Sequence, residues 1–142
     1  MGSEKRITEL HSFLKEVKDR PFEWGVWDCL IFTNEAFRRM DGEGWADDLL
    51  SRYMNSGKPM TRMQIRHEYG YENLDDMLKD RLERSYDVPP RGALVTSSET
   101  FLNAGYLGSG FGISVGSSAA FLSDTGVVYY PIEYIDSAWV RQ

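Results

Sequence analysis

The apolar residues in the first half of the chain recur at helical spacing. Those that follow Ser3, a residue suited to capping, predict an amphipathic helix over residues 4–18, which ends at Asp19-Arg20-Pro21. A second helix is predicted to begin after Asp28 as its N-cap and to end at Asp41-Gly42, where glycine can adopt the left-handed conformation. Its apolar face is broad, so we expect this helix to be central. The apolar residues are Ile7, Leu10, Leu14 and Val17 in the first helix and Leu30, Ile31, Ala36, Phe37 and Met40 in the second.

The middle of the chain predicts shorter helices, and the last third predicts strands. Helices are expected over residues 46–55 and 61–69, and a further helix opens at Asn73 and carries Leu82. The sequence Val88-Pro89-Pro90 closes this helical part, and β-branched, aromatic and small residues predominate after it. The predicted strands are residues 93–96, 112–115, 119–122, 127–130 and 137–140, with a turn at Asp124-Thr125-Gly126. Helices followed by an antiparallel sheet predict an α+β fold.

Length, charge and cysteine content limit the class of protein. A chain of 142 residues fits a single domain over residues 1–142 and can bury a core. With 16 basic and 22 acidic residues the formal net charge is -6, which argues against nucleic acid or an anionic membrane as the main partner. The single cysteine cannot form an internal disulfide, and no Cys/His cluster is present to hold a structural zinc. We therefore expect no metal site, and synthesis in a reducing cytoplasm without a signal peptide.

The uncharged, glycine-rich segment over residues 100–123 predicts neither a membrane span nor a nucleotide site. It contains five glycines and five serines, which leave too little apolar surface for stable insertion into a bilayer. The run Gly108-Ser-Gly-Phe-Gly112 has Ile113 where a dinucleotide fingerprint needs its third glycine, and it precedes a strand. We expect no cofactor.

Cys29 is the candidate for chemistry. If Asp28 caps the second helix, the thiol lies in the first turn, where free backbone amides and the helix dipole favour an anion. The same amides could stabilise an oxyanion. Asp28 places a negative charge next to the thiol, and a general base must come from elsewhere in the chain. Cys29 could therefore be a nucleophile or a buried, inert thiol.

The residues around Cys29 resemble a known family. The run Trp24-Gly25-Val26-Trp27-Asp28-Cys29, followed by an apolar helix, resembles the nucleophile segment of the NlpC-type papain-like cysteine peptidases, which cleave peptide bonds in bacterial peptidoglycan. The order of motifs resembles more closely a phage-encoded branch of that superfamily, of unknown function and often found among tail-tip genes. The resemblance implies a papain-like, NlpC-type α+β fold. The matching positions are Pro21-Phe22, Trp24-Gly25, Asp28-Cys29, Pro90, Gly92, Gly112-Ile113, Gly126-Val127-Val128 and Ala138-Trp139.

The chain departs from this pattern where the peptidases place their catalytic histidine. That histidine comes two residues before the Gly-Ile pair, and the position is Gly110 here. Only His11 and His67 are present in the chain, and a surface or capping role is favoured for both. A cysteine peptidase without its base loses an activation that commonly contributes about 10²–10⁴-fold.

Two hypotheses follow from the resemblance and this departure. The first is a structural component of a phage tail tip, an inactive relative of the peptidases that acts through contacts with other virion tail-tip proteins. The second is an active cell-wall peptidase or amidase that opens peptidoglycan during genome entry, with Cys29 as nucleophile. Either hypothesis predicts a location in the virion tail after assembly in the host cytoplasm. A third alternative is an intracellular protein, unrelated to phage, that shares only the fold.

Three further features are predicted to be structural or to bind a partner. Trp24 and Trp27 could line a substrate groove, but packing in the core is favoured. The pairs Asp47-Asp48 and Asp75-Asp76 suggest an acid/base or metal site, but both follow helix starts, where carboxylates complement the dipole. The long segment over residues 103–112 is predicted to dock a neighbouring subunit through exposed Tyr106 and Phe111.

Overall fold

The chain places its helices before its main sheet, as the sequence predicts. The computed structural model describes residues 2–23, 26–55, 58–59, 70, 74–98 and 110–142. The helices are α1 Gly2–Val17, α2 Cys29–Asp41, α3 Asp47–Tyr53 and α4 Leu74–Lys79. The strands are β1 Met54–Asn55, β2 Lys58–Pro59, β3 Glu83–Ser85, β4 Leu94–Ser97, β5 Gly110–Ser114, β6 Ser118–Ser123, β7 Gly126–Pro131 and β8 Ser137–Val140. Helices packed on an antiparallel sheet confirm the predicted α+β class.

Helix α2 begins and ends at the residues that the sequence indicates. The Asp28 side chain accepts a hydrogen bond of 3.1 Å from the Ile31 N–H, and this N-cap satisfies one of the free amides of the first turn. At the other end Gly42 has φ 88°, and its N–H donates to the Arg38 carbonyl. The helix lies between α1 and the sheet, and most of its side chains are buried, so it is central as predicted.

The main sheet has the strand order β3-β8-β4-β5-β6-β7, and each neighbouring pair is antiparallel. Successive side chains point to opposite faces. The inner face contacts the helices and contributes Leu94, Phe111, Ile113, Ala120, Leu122 and Trp139 to the main core. The outer face has its own small cluster of Ala93, Val95, Ala119, Phe121 and Ala138.

Two predicted helices are shorter than the sequence suggests. Helix α4 ends at Lys79, and residues 83–85 form β3, which pairs with β8 through Arg84 and Trp139. Helix α3 ends at Tyr53, and the next two residues form β1, paired with β2. In both cases strand pairing prevails over a weak helical pattern, with the distant strand β8 for β3 and with the adjacent strand β2 for β1. The helix predicted over 61–69 lies outside the described residues.

The segment that leads into α2 is fixed against the β6–β7 hairpin. The Val127 N–H donates to the Lys18 carbonyl at 2.8 Å, and the Phe22 N–H donates to the Ser123 carbonyl at 3.0 Å. Gly126 closes the predicted turn with φ 125°, and a Cβ at this position would overlap the Lys18 carbonyl oxygen. The turn therefore helps to set the position of residues 18–23.

No helix in the described ranges is long and apolar enough to cross a membrane.

Candidate functional site

Cys29 is the first residue of α2, as the capping signal at Asp28 predicts. Its thiol is free, and only 4% of the residue is exposed. Asp28 is fully buried beside it and is held by its hydrogen bond from the Ile31 N–H. The sulfur thus lies at a helix N-terminus, but it is enclosed by the protein and has a carboxylate as its neighbour in sequence.

The surroundings of the thiol favour its protonated form. Burial raises the pKa of Cys29 from its ordinary value of 9.0 to about 12, and the Asp28 charge contributes in the same direction. A hydrogen bond from the backbone N–H of Phe111 acts in the opposite direction, as do the amides of Cys29 and Leu30 at the helix start. Burial outweighs these donors. The helix dipole alone therefore does not produce a thiolate here.

Gly110, which the resemblance aligns with the catalytic histidine of the peptidases, is the neighbour in sequence of Phe111, whose backbone contacts Cys29. Gly110 opens β5, and the amide bonded to the sulfur belongs to Phe111. Phe111 and Ile113 face the helices, whereas a Cβ at Gly112 would meet the ring of Phe121 on the outer face. By the alternation of a strand, position 110 shares the outer face with Gly112. A side chain at 110 would therefore point away from α2.

Of the two histidines, only His11 lies within the described part of the chain. His11 is exposed on α1, next to the fully buried Leu10. His67 lies outside the described residues. The described groups that shift the pKa of Cys29 include no histidine.

Thr33 and Trp45, which sequence reasoning did not single out, link the start of α2 to Phe111. The Thr33 hydroxyl donates to the Cys29 carbonyl at 2.9 Å and accepts a hydrogen bond of 3.1 Å from Trp45 Nε1. The Trp45 ring meets the Phe111 ring edge to face, with 5.7 Å between centroids. Contacts therefore run from the start of α2 through Thr33, Trp45 and Phe111 back to the sulfur.

The prediction that Phe111 is an exposed docking residue was wrong. Phe111 is fully buried in the main core, and β5 begins at Gly110, two residues earlier than the predicted strand. The alternation of Phe111 with Ile113 on one strand face was the signal that could have placed it inside. Tyr106, the other residue of that prediction, lies outside the described residues.

Trp27 packs in the core, the favoured of its two predicted roles. Its ring lies 6.2 Å from the Phe13 ring and 6.0 Å from the Phe32 ring, and the Arg20 guanidinium covers it at 4.1 Å. Trp24 lies outside the described residues.

The acidic pair at the start of α3 is engaged by hydrogen bonds and ion pairs. Asp47 accepts from the Gly44 N–H, the Asn34 amide and Arg38, and Asp48 pairs with Arg81. Burial raises the pKa of Asp47, but these donors outweigh it and the net pKa is lowered. No group of three or more potential metal ligands occurs among the described residues.

The buried thiol predicts a specific dependence of stability on pH. The pKa of the thiol is higher in the folded protein than in the unfolded chain, so the protonated thiol contributes stability that is fully present below about pH 9.0. This contribution is lost as the pH rises toward 12. Above about pH 9 the wild type is therefore expected to lose up to about 1.4 kcal/mol of unfolding free energy per pH unit more than Cys29→Ala. Urea unfolding of both proteins over this range measures the difference. Parallel curves would contradict a protonated, buried thiol.

Comparison with known proteins gives a family and a fold. A family model described as a domain of unknown function, DUF6950, matches residues 3–140. The crystal structure of the NlpC/p60 domain of the peptidoglycan hydrolase SagA is similar, with a TM-score of 0.51 and 14% sequence identity over 98% of this chain and 97% of that chain. At this identity the similarity establishes a shared fold and no more. No curated protein matches the chain.

Proposed function

The chain belongs to the DUF6950 family and has an NlpC/p60-like α+β fold, and from this premise we propose that it is a non-catalytic relative of the NlpC-type cysteine peptidases. It acts through contacts with other proteins, as a structural component of a phage tail tip. The observation that carries the non-catalytic part is the state of Cys29. A thiol whose pKa burial raises to about 12, and on which no imidazole of the described residues acts, is a poor nucleophile.

The decrease in the thiolate population of Cys29 supports the non-catalytic function. Moving the thiol pKa from 9.0 to about 12 lowers the thiolate population near neutral pH about a thousandfold. A cysteine peptidase needs the opposite shift, which an adjacent histidine commonly provides. Among the described residues, the groups that act on the thiol are a carboxylate and backbone amides, and none of them can deprotonate a thiol of that pKa at neutral pH.

A second candidate function is the cell-wall peptidase or amidase. Cys29 at the first residue of α2 in an NlpC/p60-like fold favours it, because a helix start is where such a nucleophile is expected. In that case a base must approach the sulfur after a rearrangement that also exposes it.

Incubation with peptidoglycan distinguishes the two functions. The wild type is expected to release no muropeptides above the background given by Cys29→Ala. Chromatography of the soluble fraction measures the release, and far-UV circular dichroism checks that both proteins are folded. Release that Cys29→Ala abolishes would overturn the non-catalytic function. Cys29→Ser serves as the matched variant, because it retains a small polar side chain at the helix start.

The assignment to a tail tip is supported by the order of motifs from Pro21-Phe22 to Ala138-Trp139, which resembles that of the phage-encoded branch. Particles purified from a phage that encodes the chain are expected to contain it. A phage carrying Cys29→Ala is expected to form infectious particles at the wild-type titre, whereas deletion of the chain should prevent their assembly. A deletion phage that assembles normal tails would contradict the structural role.

A further inference from the structure

The outer end of the sheet has a groove that the Cys29 site does not use. One wall is formed by residues 84–89, from the end of β3 onward, and the other by Ile132 at the start of a 3-10 turn and by Ile135 and Asp136 after it. Ser137 and Ala138 of β8 line it between the two walls. We call this the Tyr86 groove. Because both walls leave the sheet at fixed strands, the groove is part of the folded framework.

Apolar side chains are exposed along the Tyr86 groove. Tyr86 is 84% exposed and Val88 is 78% exposed, the two highest values among the large hydrophobic residues of the described part. Single exposed apolar residues are ordinary, but two in one three-residue segment that borders a groove indicate a contact surface. The opposite wall contributes the half-buried apolar side chains of Ile132 and Ile135.

Contacts with the sheet hold both walls of the groove. The Arg84 guanidinium lies 5.1 Å from the Tyr86 ring and 5.7 Å from the Trp139 ring, which ties Tyr86 to the sheet. In the opposite wall, the Ser97 hydroxyl donates to the Tyr134 carbonyl at 2.7 Å, and the Asp136 N–H donates to the Thr96 carbonyl at 2.8 Å. A surface held in this way loses little conformational freedom on binding.

The charge of the groove is negative. Asp87 lines it, is exposed and has no ion pair with any described residue, and Asp136 lines the other side. Glu133 is exposed on the adjacent turn. The basic residue of the groove, Arg84, lies 3.9 Å from the Asp75 carboxylate. A cationic partner is therefore favoured, and two copies meeting through this face would place like charges together.

We propose that the Tyr86 groove docks an extended segment of a partner protein, in which one apolar or aromatic side chain is flanked by Lys or Arg. The cavity volume of about 220 Å³ is below the range of small-molecule sites, so it suits a side chain better than a cofactor. The apolar side chain enters between Val88 and the Ile132–Tyr134 turn, and the flanking cations pair with Asp87 and Asp136. This inference rests on the proposed role in protein–protein contacts and assigns it a surface.

Selection from a library of random peptides tests this surface. Peptides selected on the wild-type protein are expected to be enriched in Lys and Arg around an apolar residue. Their affinity, measured by fluorescence polarisation, should fall about 30-fold for Tyr86→Ala, as is usual for an aromatic anchor. Asp87→Lys should weaken binding and reduce its salt dependence. Matched controls are Tyr129→Ala and Val26→Ala, which remove side chains that are each 53% exposed elsewhere on the surface.

Three results would overturn the site. The selection yields no binding peptide, the selected peptides have no excess of basic residues, or Tyr86→Ala leaves the peptide affinity unchanged. Peptides that bind another surface would remove this site but leave the proposed interaction role intact. Muropeptide release dependent on Cys29, by contrast, would overturn the proposed function without bearing on the groove.

Discussion

Iodoacetamide is expected to alkylate Cys29 in the native protein at least about a thousandfold more slowly than in the unfolded chain. The thiolate is the reacting species, and burial raises the thiol pKa from 9.0 to about 12. The residue is only 4% exposed, so access to the sulfur also requires local opening. Mass spectrometry of samples taken with time, in buffer and in concentrated guanidinium chloride, gives the two rates. Because the chain has one cysteine, each added group reports on Cys29 alone.

A second thiol in the same protein provides the control. Ser12 is exposed on α1, and Ser12→Cys in a Cys29→Ala background should react at the rate of an ordinary exposed thiol. Fast alkylation of native Cys29, at a rate equal to that of this control, would mean that the sulfur is accessible and that its pKa is not raised. The second candidate function would then be favoured over the first.

Gly126→Ala is expected to destabilise the protein by about 3 kcal/mol or more. Two effects combine at this position. The backbone has φ 125°, a value that residues other than glycine rarely adopt. The added Cβ would also overlap the Lys18 carbonyl oxygen, which accepts a hydrogen bond from the Val127 N–H. Relieving the overlap requires the β6–β7 turn to move away from the segment that leads into α2. Urea unfolding followed by circular dichroism measures the loss.

Gly42→Ala separates the two effects. Gly42 also has positive φ, at 88°, but a Cβ there would meet nothing within 4 Å. This variant should lose only about 1 kcal/mol, the cost of the left-handed conformation. Equal losses for the two variants would show that the close approach to Lys18 adds nothing, and the fixed path of residues 18–23 would need another cause.

The fold of this protein does not by itself determine the reactivity of the Cys29 thiol. The NlpC/p60-like arrangement places a thiol at the start of a central helix, yet the groups around Cys29 favour the neutral form. A histidine at position 110 would not by itself restore a base, because alternation along β5 directs that position to the outer face with Gly112. Gly110→His should therefore leave the reactivity of Cys29 unchanged.

Local signals were sufficient for the elements nearest the thiol. Asp28 and Gly42 define the two ends of α2, because an N-cap side chain and a left-handed glycine act within one turn of the helix. The helical period along α1 and the β-branched and aromatic runs after residue 92 were also enough to predict an α+β layout. The position of Cys29 at the helix start followed directly from the position of Asp28.

The sequence by itself determined helices α1 and α2, strands β4 to β8 and the position of the thiol along the chain. Tertiary structure alone decided that residues 83–85 join β8, that Phe111 is buried against Trp45, and that the thiol is closed to solvent. Strand pairing, burial and pKa depend on groups that are distant in sequence, whereas capping and periodicity depend on neighbours. For Cys29 the physical reason is specific: the helix start favours the thiolate, and only the packing of the sheet over it reverses that preference.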